Sequence, residues 1–271
     1  MNVSWEDHGW ERLADTVGRR RLPGWDATCG LIVGSEGALL YDTGSTLREG
    51  AELRVQAEAL LRGRRVTHIA LGHPHFDHVM GTAAFAGARV YGAMGVDALL
   101  RRERDALRLD AVRHGVAADE AAEAADALVV PEHLVSGELT VDLGGGCRVL
   151  LANAGPGHTG HDLAAFVPGR PEAAGAPGVS GAPGMPGVSK APGAPRVPGA
   201  PGVVFCGDLV EESGEPQAGP DAAGSRWPAA LDRLLALGGE DAVYVPGHGA
   251  VVGAAFVRAQ RDALAERFAV S

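Results

Sequence analysis

The hexapeptide at 73–78, His-Pro-His-Phe-Asp-His, places four potential metal ligands within six residues. It follows an apolar run at 66–71 that predicts a buried strand. In an extended chain, residues two apart point to the same side, so His73 and His75 can bind one ion. Asp77 and His78 come where we expect the chain to turn into a helix over 79–85, and they point to a second position nearby. Imidazole nitrogen and carboxylate oxygen suit zinc, and also iron or manganese.

The same kind of residue recurs after other apolar runs, each time beside a glycine that permits a tight turn and a close approach of the backbone. These strand ends carry Asp42, the hexapeptide at 73–78, His158, Asp208 and His248. One histidine after a strand would carry little information. Five such strand ends predict one shared site at an edge of the sheets.

The elements that must position these residues are predicted from hydrophobic periodicity and turn residues. A hairpin is expected over 31–41, and a second run of antiparallel strands at 134–135, 139–141 and 149–151. Further strands are expected at 89–91, 163–167, 203–206 and 243–245. Helices are predicted at 47–61, 226–237 and 254–268, with two more over 95–127 that separate near Gly115. The run Arg19-Arg20-Arg21 is expected to be a solvated turn or strand edge.

Composition limits the classes of function. The net charge of −10 and the pI near 5.4 argue against a basic surface that follows phosphates, so nucleic acid is not the expected partner. Cys29, Cys147 and Cys206 are far apart and form no CxxC pair, which is typical of unpaired thiols in a reducing compartment. No signal-peptide pattern and no long apolar stretch is present, so we expect a soluble cytoplasmic protein without a membrane partner.

One segment does not have the composition of a packed domain. Half of the residues in 169–202 are Gly or Pro, and glycine falls at every third position from 175 to 187. This pattern is similar to collagen, but the uninterrupted run is short and a triple helix needs three chains. We therefore expect a flexible, polyproline-like surface loop. We interpret residues 1–271 as a single domain and 169–202 as an insertion within it.

The hexapeptide and its partner residues closely resemble the metallo-β-lactamase-fold hydrolase superfamily, from Leu31 to Gly249 apart from the insertion. The resemblance implies an α+β fold, a four-layered αβ/βα sandwich of two mixed sheets flanked by helices, with the site where the sheets meet. It implies one metal on His73, His75 and His158, and a second on Asp77, His78 and His248. Asp208 would bridge both metals, and Asp42 would be a buried residue that orders the ligand loops.

The chemistry that the resemblance implies is hydrolysis by water held between two cations, which lower its pKa so that hydroxide is available. Two zinc ions are expected, with iron or manganese as alternatives. Asp77 would be the catalytic residue, since it could also accept a hydrogen bond from the nucleophile. His161 could contact the substrate or only support its loop. No Gly-x-Ser-x-Gly motif is present, and Cys206 is expected to be a buried strand residue.

A bridging Asp208 is similar to the glyoxalase II-like, lactonase-like and phosphodiesterase-like branches and unlike true β-lactamases. No basic arm typical of the RNA-processing members is visible. The expected function is therefore hydrolysis of a small thioester, lactone or related ester. Two alternatives remain open. A persulfide dioxygenase would bind one iron through ligands such as His73, His75 and His158, and a non-catalytic metal-binding scaffold would use the insertion as its interaction arm.

Overall fold

Two mixed β-sheets carry the fold in the computed structural model, which describes residues 4–169 and 200–269. The seven-stranded sheet has the order β1-β2-β3-β4-β5-β6-β7, and the five-stranded sheet has the order β12-β11-β10-β9-β8. The first sheet contains β1 (Glu11–Ala14), β2 (Val17–Arg21), β3 (Thr28–Val33), β4 (Ala38–Tyr41), β5 (His68–Ala70), β6 (Arg89–Ala93) and β7 (His133–Val135). The second contains β8 (Glu138–Asp142), β9 (Arg148–Asn153), β10 (Leu163–Val167), β11 (Val203–Glu211) and β12 (Val243–His248).

Seven α-helices accompany these strands in the described ranges. They are α1 (Leu47–Leu60), α2 (Phe76–Val79), α3 (Val96–Arg102), α4 (Arg104–Arg113), α5 (Ala118–Asp126), α6 (Trp227–Gly238) and α7 (Ala254–Arg267). None of the helices in the described part of the chain is both long and apolar enough to cross a membrane.

The buried apolar residues form three clusters, one at each of the three interfaces between four layers. This arrangement confirms the predicted four-layered αβ/βα sandwich. Apolar residues of α1, α4 and α5 pack on the outer face of the first sheet. Residues of α6 and α7 pack on the outer face of the second sheet. Between the sheets, Tyr41 of β4 stacks on Phe205 of β11 with ring centroids 5.4 Å apart, and the Tyr41 hydroxyl donates to the Leu163 carbonyl at 2.7 Å.

In the first sheet, β1 to β4 are antiparallel and β4 to β7 are parallel. The hairpin expected over 31–41 is confirmed by the pairing of Val33 with Ala38. The parallel neighbours β4 and β5 end at the same edge of the sheet, which brings Asp42 next to the hexapeptide.

The assignment of 134–135 to a second antiparallel run is wrong. These residues belong to β7, which pairs in parallel with β6 in the first sheet. Helices α3, α4 and α5 form the crossover between β6 and β7, and a parallel pair requires a connection of this length. The strands β8 and β9 do begin an antiparallel run, which continues through β10 to β11.

Two helical expectations also need correction. A short helix, α2, begins inside the hexapeptide at Phe76 and ends at Val79, whereas we expected a helix over 79–85. The amide of Gly81 donates to the Gly44 carbonyl at 3.1 Å, and a 3₁₀ turn then covers Thr82–Ala84. The stretch 95–127 contains three helices, because the chain breaks at Glu103 as well as near Gly115.

The arginine run at 19–21 is not simply solvated. Arg19 is only 3% exposed, and its guanidinium donates to Glu11 and to the Gly249 carbonyl. The Arg19 side chain therefore links the N-terminal hairpin of β1 and β2 to the residue that follows β12. Most of the insertion predicted at 169–202 lies outside the described residues, and the single-domain interpretation stays a prediction.

Candidate metal centre

The seven predicted metal ligands meet at one edge of the sandwich, although they are spread over 176 positions from His73 to His248. The hexapeptide leaves β5, His158 follows β9, and His248 is the last residue of β12. Asp208 differs from the prediction in one respect, because β11 continues through it to Glu211. The pairing of β11 with β12 is irregular around Gly207, whose φ of +55° turns the chain locally before Asp208.

The first group of potential ligands contains His73, His75, His158 and Asp208. Nδ1 of His75 lies 3.1 Å from Nε2 of His73 and 3.0 Å from Nε2 of His158. Oδ2 of Asp208 lies 3.4 Å from Nε2 of His158 and 3.6 Å from Nε2 of His73. Three imidazole nitrogens and a carboxylate oxygen thus converge on one small volume, as the ligands of a bound cation would.

The second group contains Asp77, His78 and His248. Oδ2 of Asp77 lies 3.3 Å from Nε2 of His248 and 3.5 Å from Nε2 of His78. Asp77 and His78 are both buried in α2. The helical turn that begins at Phe76 therefore directs these two adjacent residues away from the position shared by His73 and His75.

Asp208 lies between the two groups. Its Oδ1 is 3.2 Å from Nε2 of His78, and its Oδ2 is 3.4 Å from Nε2 of His248 as well as close to the first group. Gly247 makes this position possible, because a Cβ at residue 247 would overlap the Asp208 carboxylate. One carboxylate therefore faces both groups of histidines.

The outer ring nitrogens of four histidines have fixed partners. His158 Nδ1 donates to the Gln217 carbonyl at 3.1 Å, and His248 Nδ1 donates to the Trp25 carbonyl at 2.8 Å. Carboxylates accept from the other two: Asp42 lies 2.8 Å from His78 Nδ1, and Asp221 lies 3.1 Å from His75 Nε2. A proton on each outer nitrogen leaves the inner nitrogen with a free lone pair, which is the tautomer that a metal requires.

Burial and neighbouring charges act on the protonation of the site in opposite directions. Burial lowers the pKa of His73, and it lowers that of His158 to about 4, so these rings are neutral at pH 7. Burial also acts against protonation of His78, but the charges of Asp208, Asp77 and Asp42 outweigh it and raise the His78 pKa. The Asp208 pKa is lowered because His78, His73 and His248 together outweigh its burial.

The donor set fits a divalent cation. Within the described ranges, Nε2 of His78 and Oδ1 of Asp208 are buried polar atoms that lie 3.2 Å apart but form no hydrogen bond of acceptable geometry, either with each other or with another group. Such atoms are rare in folded proteins and need an explanation. Both belong to the cluster of nitrogen and oxygen donors, and a cation held by that cluster would satisfy them. The described residues can therefore hold a metal, and their donors suit zinc, iron or manganese.

Two acidic residues near the centre were not predicted from the sequence. Glu211 lies close to Asp208 and His248 and accepts a hydrogen bond from the Ser213 hydroxyl at 2.6 Å. Its position three residues after Asp208 could have indicated its role. The strand predicted over 203–206 ended before this residue, whereas β11 extends to it. Asp221 lies in a loop before α6 and has no sequence pattern that connects it to His75.

Three other residues of interest lie outside the ligand cluster. His161 does not line the cavity above the centre, and its Nδ1 is 3.0 Å from the Met94 carbonyl. Asp162 accepts hydrogen bonds from the amides of Gly157 and Thr159 and so supports the loop that carries His158; burial raises its pKa to about 7. Cys206 is a buried strand residue, as expected, and burial raises the pKa of its thiol.

A cavity of about 770 Å³ lies over the cluster. Its floor includes His75, Asp77, His158, Asp208 and His248, so both groups of potential ligands are accessible from it. Most of the remaining lining comes from Trp25, from residues in and next to α2, α3 and α4, and from Glu211 and the loop over 213–221. This volume is typical of small-molecule sites.

Comparison with solved structures supports the same fold. A metallo-β-lactamase from Pontibacter korlensis is 18% identical, with a TM-score of 0.65 over 94% of this chain and 97% of that one. The structure of VMB-1 is 18% identical, with a TM-score of 0.62 over 96% and 97% of the two chains. DIM-1 metallo-β-lactamase is 14% identical, with a TM-score of 0.63 over 95% and 96%. At these identities the likeness concerns the fold alone.

The sequence itself matches one family. Residues 22–171, which are more than half of the chain, match the family described as the metallo-beta-lactamase superfamily. No curated protein matches the sequence significantly. Members of the superfamily are mostly metallo-hydrolases, and the His/Asp cluster agrees with that metal dependence at the coarse level. The chain therefore belongs to the metallo-β-lactamase superfamily.

Proposed function

We propose that this protein is a dinuclear zinc hydrolase that cleaves a small thioester, lactone or related ester. The observation that carries the proposal is the position of Asp208, whose two carboxylate oxygens face two separate groups of histidines. A single metal on His73, His75 and His158 would not need Asp77, His78 and His248 at all. A complete second group therefore supports two metals.

His73, His75 and His158 would hold the first cation, and Asp77, His78 and His248 the second, with Asp208 shared between them. When bound, such cations act as Lewis acids and lower the pKa of water, so that a nucleophile is available near neutral pH. Asp77 lines the cavity and would accept a hydrogen bond from the attacking water, which orients it. Manganese or iron would suit the same donors.

Two further features support a small-molecule substrate. The centre lies in a partly open cavity of ligand size. The net charge of −10 disfavours nucleic acid as a partner. Cys29 and Cys206 are free, buried thiols in separate parts of the fold, which supports our proposal of a reducing, cytoplasmic compartment.

The test combines metal analysis with a substrate screen. The zinc-loaded protein should contain two zinc ions per chain and hydrolyse at least one member of a panel of thioesters, lactones and phosphodiesters. Asp208→Ala should lose most metal at the second site, and its kcat/KM should fall about 100-fold or more. Asp232→Ala is the control, because Asp232 lies on the exposed face of α6 and pairs with Arg261.

The main alternative makes the opposite prediction. A persulfide dioxygenase would contain one iron per chain and would consume oxygen when given a persulfide. That result would overturn the hydrolase proposal. A scaffold without activity would bind metal and turn over no member of the panel, and Asp208→Ala would then change metal content alone.

A further inference from the structure

We propose that the substrate is uncharged and carries an apolar arm that packs against α2, α3 and α4, and that anionic esters and thioesters are poor substrates. The inference rests on the proposed function and deepens it, because it assigns the substrate class from the cavity walls. Two independent observations carry it: an apolar wall beside the metal ligands, and the absence of a free cationic side chain in the described lining.

The apolar wall begins directly next to the ligands. Phe76 lies between His75 and Asp77 in sequence, and its ring meets that of Trp25 edge-on at 5.5 Å. The ring of His114 stacks on Phe76 at 5.5 Å, with an angle of 19° between the planes. Leu99 and Leu107 extend this wall along α3 and α4. A hydrocarbon or aromatic group attached to the reacting carbonyl would bury its surface here.

The charged residues of the lining are nearly all acidic. Apart from the seven predicted metal ligands, five carboxylates line the cavity: Glu103, Asp110, Glu211, Glu215 and Asp221. Arg113 is the single arginine or lysine among the described lining residues, and its guanidinium is 2.9 Å from the Asp110 carboxylate. A substrate arm ending in a carboxylate or phosphate would therefore meet carboxylates and find no unpaired cationic side chain among these residues.

These two observations favour one class of ligand. Like charges across a site disfavour binding, and an anion removed from water without a partner is costly. The cations of the metal centre would attract the reacting carbonyl at the floor, but they cannot also neutralise a charge at the far end of an arm along α4. An uncharged apolar arm meets no such cost and gains from burial.

The test uses matched substrates. A series of neutral acyl thioesters from acetyl to octanoyl should show kcat/KM rising about three- to fourfold per methylene until the wall is covered. The hexanoyl thioester and its analogue with a terminal carboxylate have the same chain length. We expect the anionic member to be hydrolysed at least about tenfold less efficiently at low salt, with a smaller difference at high salt.

Two variants assign these effects to the named walls. Leu99→Ala should flatten the dependence on chain length, whereas Leu109→Ala should not, because Leu109 lies on α4 but is 50% exposed and does not line the cavity. Glu215→Lys places a cation at the exposed rim and should raise the relative efficiency of the anionic substrate several-fold. Since Glu215 is exposed, this variant is expected to fold even if a wall variant does not.

Binding of hexyl and carboxypentyl thioethers, which cannot be hydrolysed, separates this inference from the proposed function. Isothermal titration should show tighter binding of the neutral hexyl compound. Equal or tighter binding of the carboxypentyl compound, or equal hydrolysis of the two matched thioesters, would overturn the inference. Preference for the neutral compound without turnover of any ester would instead overturn the hydrolase and leave the preference of the cavity established.

Discussion

The carboxylate of Asp42 lies 2.8 Å from Nδ1 of His78, and both side chains are buried. The other oxygen of Asp42 accepts a hydrogen bond from the amide of Gly72 at 2.6 Å. Asp42 itself has a φ of +60°, a left-handed conformation that Asp and Asn adopt more readily than most residues. One side chain thus connects the end of β4, the entry to the hexapeptide and a potential ligand of the second metal.

We expect Asp42→Asn to lower the affinity for the second metal about 10- to 100-fold, because the neutral amide no longer holds the His78 ring with a charge. Asparagine tolerates the left-handed backbone, so the fold should be retained. Competition with a chromophoric chelator would measure the affinity. Asp15→Asn is the control, since Asp15 pairs with Arg12 on the surface. Equal affinities in the two variants would contradict the assigned role.

Asp221 is expected to position His75. Its carboxylate is 3.1 Å from Nε2 of His75, and its pKa is lowered because the bond to His75 and the His75 charge outweigh its burial. Asp221→Asn should weaken the first metal site about tenfold and shift the visible absorption of the cobalt-substituted protein. Asp232→Asn, on the exposed face of α6, should change neither. An unchanged cobalt spectrum in Asp221→Asn would show that this contact does not orient the ring.

The sequence is informative about this centre where the signal is local. The spacing of His73, His75, Asp77 and His78 follows from strand and turn geometry, and strand ends beside glycines indicated the partners. Asp221 could not be found this way, because it contacts His75 across 146 positions from an irregular loop. The pairing of β7 was missed for a similar reason, since a three-residue strand has no pattern that distinguishes one sheet from another.

Arg19 shows how composition can mislead. A run of three arginines is normally solvated. Arg19, the first of the three, is buried here because β2 is covered by the loop after β12. The Arg19 guanidinium donates to the Gly249 carbonyl at 2.9 Å, one residue after His248. Only the three-dimensional arrangement places these residues side by side.

We therefore expect Arg19→Met to destabilise the fold by about 1–3 kcal/mol, because the buried Gly249 carbonyl loses its charged donor. Without this bond to Gly249, the adjacent His248 should also be less well ordered. We therefore expect weaker binding of the second metal. Urea unfolding and metal titration would measure the two effects. Arg12→Met is the control, since Arg12 forms only a surface pair with Asp15 among its described contacts. A loss of stability in Arg19→Met with normal metal binding would limit Arg19 to a structural role.

The insertion can be tested through the two strands that flank it. Val167 of β10 and Val203 of β11 are paired antiparallel, so the strands enter and leave the insertion side by side. At the base, Gly169 and Ala200 lie so close that a Cβ on Gly169 would collide with the Ala200 carbonyl. Joining residues 169 and 200 directly would leave five residues between Val167 and Val203, a length that β-hairpins commonly use.

Deletion of 170–199 should therefore leave the fold and the metal content intact. If the segment is the flexible loop that its composition predicts, shortening the connection from 35 residues to five lowers the entropy cost of loop closure. We expect the free energy of unfolding to rise by roughly 1–2 kcal/mol. Urea denaturation and metal analysis would measure both quantities. A variant with the same 30 residues in scrambled order is the control, because it keeps length and composition and should behave like the natural chain. A less stable deletion variant, or one that has lost metal, would show that residues 170–199 make contacts on which the domain depends.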